Sequence, residues 1–127
     1  MNPEGLLYSS EHEWVRRKGD HVVLGITDYA QQALGDIVYL EVPEEGTQVV
    51  ADEAFAEVES VKAVSDIYSP VTGEIVKVNQ KVIESPEIIH EDPYGKGWIV
   101  VIEMSDPSEL DNLMTAEEYE EFIRELE

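Results

Sequence analysis

The chain has 127 residues, enough for one domain with a buried core, and 43% of them are hydrophobic, so it has the composition of a folded protein rather than a disordered tail. Eight Lys plus Arg against 29 Asp plus Glu give a formal net charge of −21 at pH 7, a field that repels phosphate backbones and anionic lipid heads, so neither nucleic acid nor a membrane is an expected partner. The chain has no cysteine, which excludes a disulfide, a thiolate nucleophile, a thiolate zinc site and an iron–sulfur cluster.

The segment from Met1 to Leu7 has neither a basic stretch followed by an apolar one nor the Arg-rich character of a transit segment. The longest purely apolar run, Trp98 to Ile102, is far short of the roughly 20 residues that cross a bilayer. A cytoplasmic protein is the expectation.

Strand signals dominate the first hundred residues. Glu13 to Arg17, a turn at Lys18-Gly19-Asp20, and His21 to Ile26 read as a hairpin. Thr27 and Asp28 can cap a short helix carrying Tyr29, Ala30, Ala33 and Leu34, and Gly35 follows where a C-terminal residue of positive φ is wanted. Ile37 to Val42 is rich in β-formers and stops at Pro43, and Glu44-Glu45-Gly46 turns the chain into Thr47 to Val50. In Phe55 to Glu59 the alternation turns Val58 inward and Glu57 and Glu59 to water. Ala63 to Tyr68 follows at once, which makes Ser60, Val61 and Lys62 the tip of a protruding hairpin. Glu74 to Val78 is a further strand, and Trp98 to Glu103 supplies the last, its unbroken apolar content suggesting burial on both faces. Many short strands joined by frequent turns predict an all-β dominated small barrel or sandwich.

From Glu103 to Glu127 the chain changes character, with ten acids and one basic residue, Arg124. Thr115 with Glu118 three residues on matches a capping box, and Tyr119, Phe122, Ile123 and Leu126 fall at helical spacing. Leu110, Leu113 and Met114 suggest a shorter helical turn before it. The expectation is a single domain over residues 1–127, with 105–127 a helical extension packed on the outside of the barrel.

Lys62 is the residue on which chemistry can rest. On composition alone a lysine at a hairpin tip is a solvated head group. The same placement also suits a tethered prosthetic group: an amine held clear of the body on a rigid turn, within reach of a modifying enzyme and then of several active sites. The scattered histidines His12, His21 and His90 lack metal-ligand spacing, so no metal site is expected. Tyr94-Gly95-Lys96-Gly97 lacks the spacing of a phosphate loop, and there is no Gly-x-Ser-x-Gly elbow.

Glu59-Ser60-Val61-Lys62-Ala63 resembles the lipoyl-lysine motif of the glycine cleavage H-protein family. The resemblance extends to His12-Glu13-Trp14, Gly25-Ile26-Thr27-Asp28-Tyr29-Ala30-Gln31, Leu34-Gly35-Asp36-Ile37-Val38, Ser69-Pro70-Val71-Thr72-Gly73-Glu74, Ser85-Pro86-Glu87 and Glu91-Asp92-Pro93-Tyr94-Gly95, in the same order. It departs at Asp52 and Ala56, where the family often has Gly, and at His90, where Asn is more common.

The resemblance implies a biotinyl/lipoyl-type fold, a flattened barrel of two antiparallel sheets with a short internal helix and a C-terminal helix. It implies lipoic acid in amide linkage to Lys62, with Glu59, Ser60, Val61 and Ala63 as the turn read by the lipoate-attaching enzyme, on a carrier that catalyses nothing itself. The implied partners are a pyridoxal-phosphate glycine decarboxylase that loads an aminomethyl group, a tetrahydrofolate-dependent aminomethyltransferase that removes it, and dihydrolipoyl dehydrogenase. Family precedent shelters the loaded arm in a cleft whose acids, carried over by motif, are Glu13, Asp66 and Glu11. The chain itself is expected to be a monomer. The alternatives are an H-like lipoyl carrier for lipoate relay or another pathway, a biotin carrier, and an unmodified acidic interaction domain.

Overall fold

A computed structural model describes residues 2–126; Met1 and Glu127, which the sequence reading placed in the domain, lie outside the described residues. In chain order the elements are strands β1 (Leu7–Tyr8), β2 (Glu13–Lys18) and β3 (His21–Ile26), helix α1 (Asp28–Leu34), strands β4 (Ile37–Glu41), β5 (Gln48–Val49), β6 (Ala54–Ser60), β7 (Val64–Tyr68) and β8 (Gly73–Val78), helices α2 (Gln80–Glu84) and α3 (Ile88–Glu91), strand β9 (Val100–Met104), a 3-10 turn (Pro107–Asn112) and helix α4 (Ala116–Leu126).

The strands form two antiparallel sheets, a six-stranded one in the order β1-β2-β3-β9-β8-β5 and a three-stranded one in the order β4-β6-β7. The sheets do not close into a continuous barrel, because no ladder joins one to the other among the described residues. Their inner faces meet over one core. Val15, Val22, Leu24, Ile75 and Ile102 come from the large sheet and Leu40, Val58 and Ile67 from the small one, each almost fully buried. Burying one such aliphatic side chain contributes about 1.5 to 3 kcal/mol.

The alternation in β6 behaves as the sequence predicts, with Ala56, Val58 and Ser60 inside and Glu57 and Glu59 in water. The expected two-sided burial of the last strand is corrected: β9 alternates, Val100, Ile102 and Met104 facing the core while Val101 and Glu103 face outward, and Trp98 and Ile99 precede the strand. An apolar run thus marks a strand whose outer face lines a groove rather than one covered on both sides. The sequence reading also misses β1, α2 and α3, which are two, five and four residues long and too short for periodicity to mark.

Trp14, on the outer face of β2, is buried because the C-terminal segment covers it. Leu6, Tyr8, Trp14, Ala116 and Tyr119 form a second apolar cluster, and Trp14 Nε1–H donates to the Pro93 carbonyl at 2.9 Å. Tyr8 and Met114 exchange backbone hydrogen bonds at 2.8 Å in both directions. The capping box is formed: the Glu118 amide donates to Thr115 Oγ1 at 3.2 Å, and the Thr115 amide donates to Glu118 Oε1 at 2.9 Å. Of the helical stripe, Tyr119 is fully buried and Phe122 and Ile123 are half-buried. Leu126, the last residue of α4, is exposed.

Candidate functional site

The site is built at the β6–β7 hairpin. Ser60, the last residue of β6, is buried, and its hydroxyl accepts from the amides of Lys62 and Ala63, both at 3.1 Å. The Ser60 amide donates to the Ala63 carbonyl at 2.8 Å, closing the turn. One side chain therefore fixes the backbone on either side of the lysine. The tip is anchored a second time, since the Val61 amide donates to the Asp36 carbonyl at 3.0 Å.

Asp36 is in place because α1 stops abruptly. Thr27 caps its start by accepting from the Ala30 amide at 3.2 Å, and Gly35 ends it with φ 77° and ψ −153°. That combination is open to glycine almost alone. The Lys62 side chain lies over Gly35, whose ideal Cβ would come within 3.0 Å of Lys62 Cε. Lys62 itself is exposed, as are Val61, Ala63 and Val64 beside it. Glu59 stands on the outer face of the small sheet, opposite Tyr39 on one side and Val64 on the other.

Beside the hairpin, between α1 and β7, lies a cleft of about 140 Å³. Tyr29, Ala30, Ala33 and Leu34 form one wall, Val58 and Ile67 the other, and Glu11, Glu13 and Asp66 all border it. The three acids carried over by motif thus share one cavity, but in different settings. Glu13 is 2% exposed, accepts from the Ser9 hydroxyl at 2.5 Å on Oε1 and from the Tyr68 amide at 3.1 Å on Oε2. Burial pushes its carboxyl up to about 7, against the pull of those two hydrogen bonds and with Glu11 and Asp52 adding repulsion. Asp66 is exposed on an edge strand, in the solvent-facing row Glu41, Glu57, Asp66, and borders the cleft from its rim. Glu11 is exposed at the mouth.

The sign of Glu13's effect on stability follows directly. Its folded pKa lies above the unfolded value near 4.5, so the folded state holds a proton that the unfolded state gives up as pH rises between about 4.5 and 7. Stability therefore falls across that window, and the cost of ionising the group in place is fully present above it, of order 3 kcal/mol. Glu13→Gln keeps an acceptor for the Tyr68 amide and a donor for Ser9. The variant is expected to melt higher than the parent at pH 8 and to lose much of the parent's decline between pH 5 and 8. Calorimetric melting temperatures at both pH values check this, and parallel slopes for the two proteins would refute it.

Sequence reasoning did not find the groups that hold these residues. Ser9 lies four residues before Glu13 in no periodic pattern, and His12 sits at φ 71°. His12 Nδ1 is 2.7 Å from the Tyr119 hydroxyl, which is also 2.7 Å from Thr27 Oγ1, and the imidazole packs against Tyr29 at 4.6 Å between centroids. Burial lowers the His12 pKa. The C-terminal helix thus reaches both the cap of α1 and the cleft wall. His90 accepts from the Ile37 amide at Nε2 (3.1 Å), so its Nδ1 carries the proton and donates to Gln31 Oε1. His21 faces Glu103 at 3.9 Å. The three histidines are in three different places, and among the described residues no group of three His, Asp or Glu side chains is arranged to hold a metal.

The family model described as Glycine cleavage H-protein matches residues 6–126. A glycine cleavage system H protein from Geobacillus sp. strain WCH70 is 54% identical over 123 residues, covering 97% of each chain. One from Carboxydothermus hydrogenoformans is 51% identical over 123 residues, covering 97% of this chain and 95% of the relative. The crystal structure of a glycine cleavage system H protein from Mycobacterium marinum superposes with a TM-score of 0.86 at 41% identity, over 93% of this chain and 95% of that one. Matched along nearly its whole length in sequence and in fold, the chain belongs to the glycine cleavage H-protein family.

Proposed function

We propose that this chain is the lipoyl carrier of a glycine cleavage system, a component that its enzymes act on rather than an enzyme, with lipoic acid joined by an amide to Lys62. The observation that carries the reading is the pairing of an exposed lysine on a doubly anchored turn with an adjoining cleft that holds a buried carboxylate. When bound, lipoate supplies the reversible dithiol and disulfide chemistry that a chain without cysteine lacks, and with it a hold on the aminomethyl group of glycine.

The chain's own residues do the rest. Ser60 presents the lysine in one backbone geometry to each enzyme, and Glu59, Val61 and Ala63 give the attaching enzyme its surface. The apolar walls from Tyr29 to Leu34 and at Val58 and Ile67 keep water off whatever occupies the cleft. Glu13 supplies a partner for an ammonium that leaves water, and a cation beside it offsets the cost of ionising that carboxyl. Asp66 and Glu11 add negative potential at the rim. The partners on this reading are a pyridoxal-phosphate glycine decarboxylase, a tetrahydrofolate-dependent aminomethyltransferase, dihydrolipoyl dehydrogenase and a lipoate-attaching enzyme, met in the cytoplasm by a monomeric carrier. No helix among the described residues is long and apolar enough to cross a membrane.

The test is to incubate the chain with lipoate, ATP and an attaching enzyme, locate the added mass by peptide mapping, and assay the product for glycine-dependent carbon dioxide exchange with a glycine decarboxylase. Lipoyl mass on Lys62 and restored exchange are expected. An unmodified Lys62, or a lipoylated chain that supports no exchange, overturns the reading.

A further inference from the structure

The positive charge of this acidic molecule is gathered in one place. Arg16, Lys18 and Lys77 line a groove of about 460 Å³ on the outer face of the large sheet, with His21, Val23, Val101 and Trp98. Lys81 and Lys96 line a second groove, also of about 460 Å³, which shares Trp98 as its wall. Five of the eight Lys and Arg residues therefore surround one half-buried indole. In a chain with 29 carboxylates each would be expected to find an acid, yet among the described residues none of the five forms an ion pair; the two pairs present are His21 with Glu103 and Arg124 with Glu121.

The register defines the first groove. Arg16 stands opposite Val23, Val23 opposite Val101, and Val101 opposite Lys77, so two valines form a flat apolar floor with a cation at either end. Four strands at the usual spacing put those ends about 14 Å apart. The Lys77 ammonium lies 5.7 Å from the Trp98 ring centre, and Arg16 is held by the Tyr94 carbonyl at 2.6 Å and lies over the Trp14 ring at 5.1 Å. Acids are also near: Glu103 beside His21, and Glu91 and Asp92 in the second groove.

A flat floor, an aromatic wall and cations without an acid partner match a molecule that joins a flat ring to a run of anionic groups. Size selects between anions. A large acidic protein surface would overlap much of the −21 field, whereas a small anion inside the groove lies within about 8 to 10 Å of the cations, the range over which salt leaves a field unscreened. We propose that the groove beside Trp98 binds a nucleoside polyphosphate, its planar base against Val101 and Trp98 beside Lys77 and its phosphates running over Val23 to Arg16 and Lys18. This site is on the other sheet from Lys62 and is independent of its modification.

The experiment titrates ATP, inorganic triphosphate and adenosine separately into the full chain, following the Trp98 indole and the Val23 and Val101 methyl resonances. The expected result is saturable ATP shifts at those three residues, none at Val58 or Ile67, weaker binding of triphosphate and adenosine alone, and affinity for ATP reduced about tenfold or more in a Lys18→Ala, Lys77→Ala double variant. Both lysines are exposed, and unchanged shifts at Val58 and Ile67 confirm that the variant is folded. Absence of saturation at millimolar ATP, triphosphate binding as tightly as ATP, or an acidic peptide displacing ATP overturns the proposal.

Discussion

Replacing Lys62 by arginine is expected to reduce glycine-dependent carbon dioxide exchange to background while leaving the melting temperature within about 2 °C of the parent. The guanidinium preserves the positive charge but offers no amine that an activated acyl donor can convert to an amide. Nothing structural is removed: the turn is held by the Ser60 hydroxyl and the Ala63 and Asp36 carbonyls, all of which act on backbone amides that the substitution leaves alone. The Lys62 side chain is exposed and lies over Gly35 without a hydrogen bond to it, so a longer side chain can turn outward. Exchange activity, lipoyl mass and thermal melting measured on one preparation separate loss of the attachment point from loss of fold. Retained exchange in the variant would show that the carried group is fastened elsewhere.

Gly73→Ala is expected to have the largest effect on stability of any single methyl addition, about 3 kcal/mol or more, with the melting temperature falling by roughly 10 °C. Gly73 lies in β8 between Val49 on β5 and Met104 on β9. A Cβ built there falls 2.0 Å from the Glu103 carbonyl oxygen and 2.9 Å from its carbon. Both are backbone atoms of the neighbouring strand, so relief cannot come from a rotamer change. The ladder has to spread, and it carries Ile75 and Ile102 in the core. At Gly25 the corresponding clash, 2.7 Å, is with the Trp14 ring, a side chain that is itself fully buried. Chemical denaturation of Gly73→Ala checks the prediction; a midpoint equal to the parent's would refute it.

The hairpins, α1 with both caps, the β6–β7 tip and the capping box of α4 were legible because each is decided by neighbouring residues: turn formers, period-two alternation, a Thr that caps and a Gly that ends. What was not legible depends on partners distant in sequence. Trp14 reads as an outward strand residue until the C-terminal segment is laid over it, and Glu13 reads as one exposed acid among many until Ser9 and Tyr68 enclose it. The two-residue β1 exists by virtue of pairing with β2 and its exchange of hydrogen bonds with Met114, neither of which its own side chains announce. At the candidate site, Lys62 was marked by its place at a hairpin tip as well as by motif and the acids by motif alone, whereas the setting that distinguishes a buried Glu13 from a rim Asp66 and an exposed Glu11 came from the fold. The clustering of cations around Trp98 was invisible for the same reason, since Arg16 and Lys77 are far apart along the chain and meet only through strand order, and Lys96 joins them from the turn before β9.

The hydroxyl of Tyr119 joins helix α4 to His12, which lines the cleft, and to Thr27, which caps α1. Proteolytic clipping ahead of Thr115 would therefore withdraw the peg that seats the imidazole and the first turn of α1, leaving Lys62 in place beside a slackened cleft. On the proposed carrier reading, such a truncated chain would still accept lipoate at Lys62 yet shield the attached group poorly, so an intact α4 would matter to delivery rather than to loading.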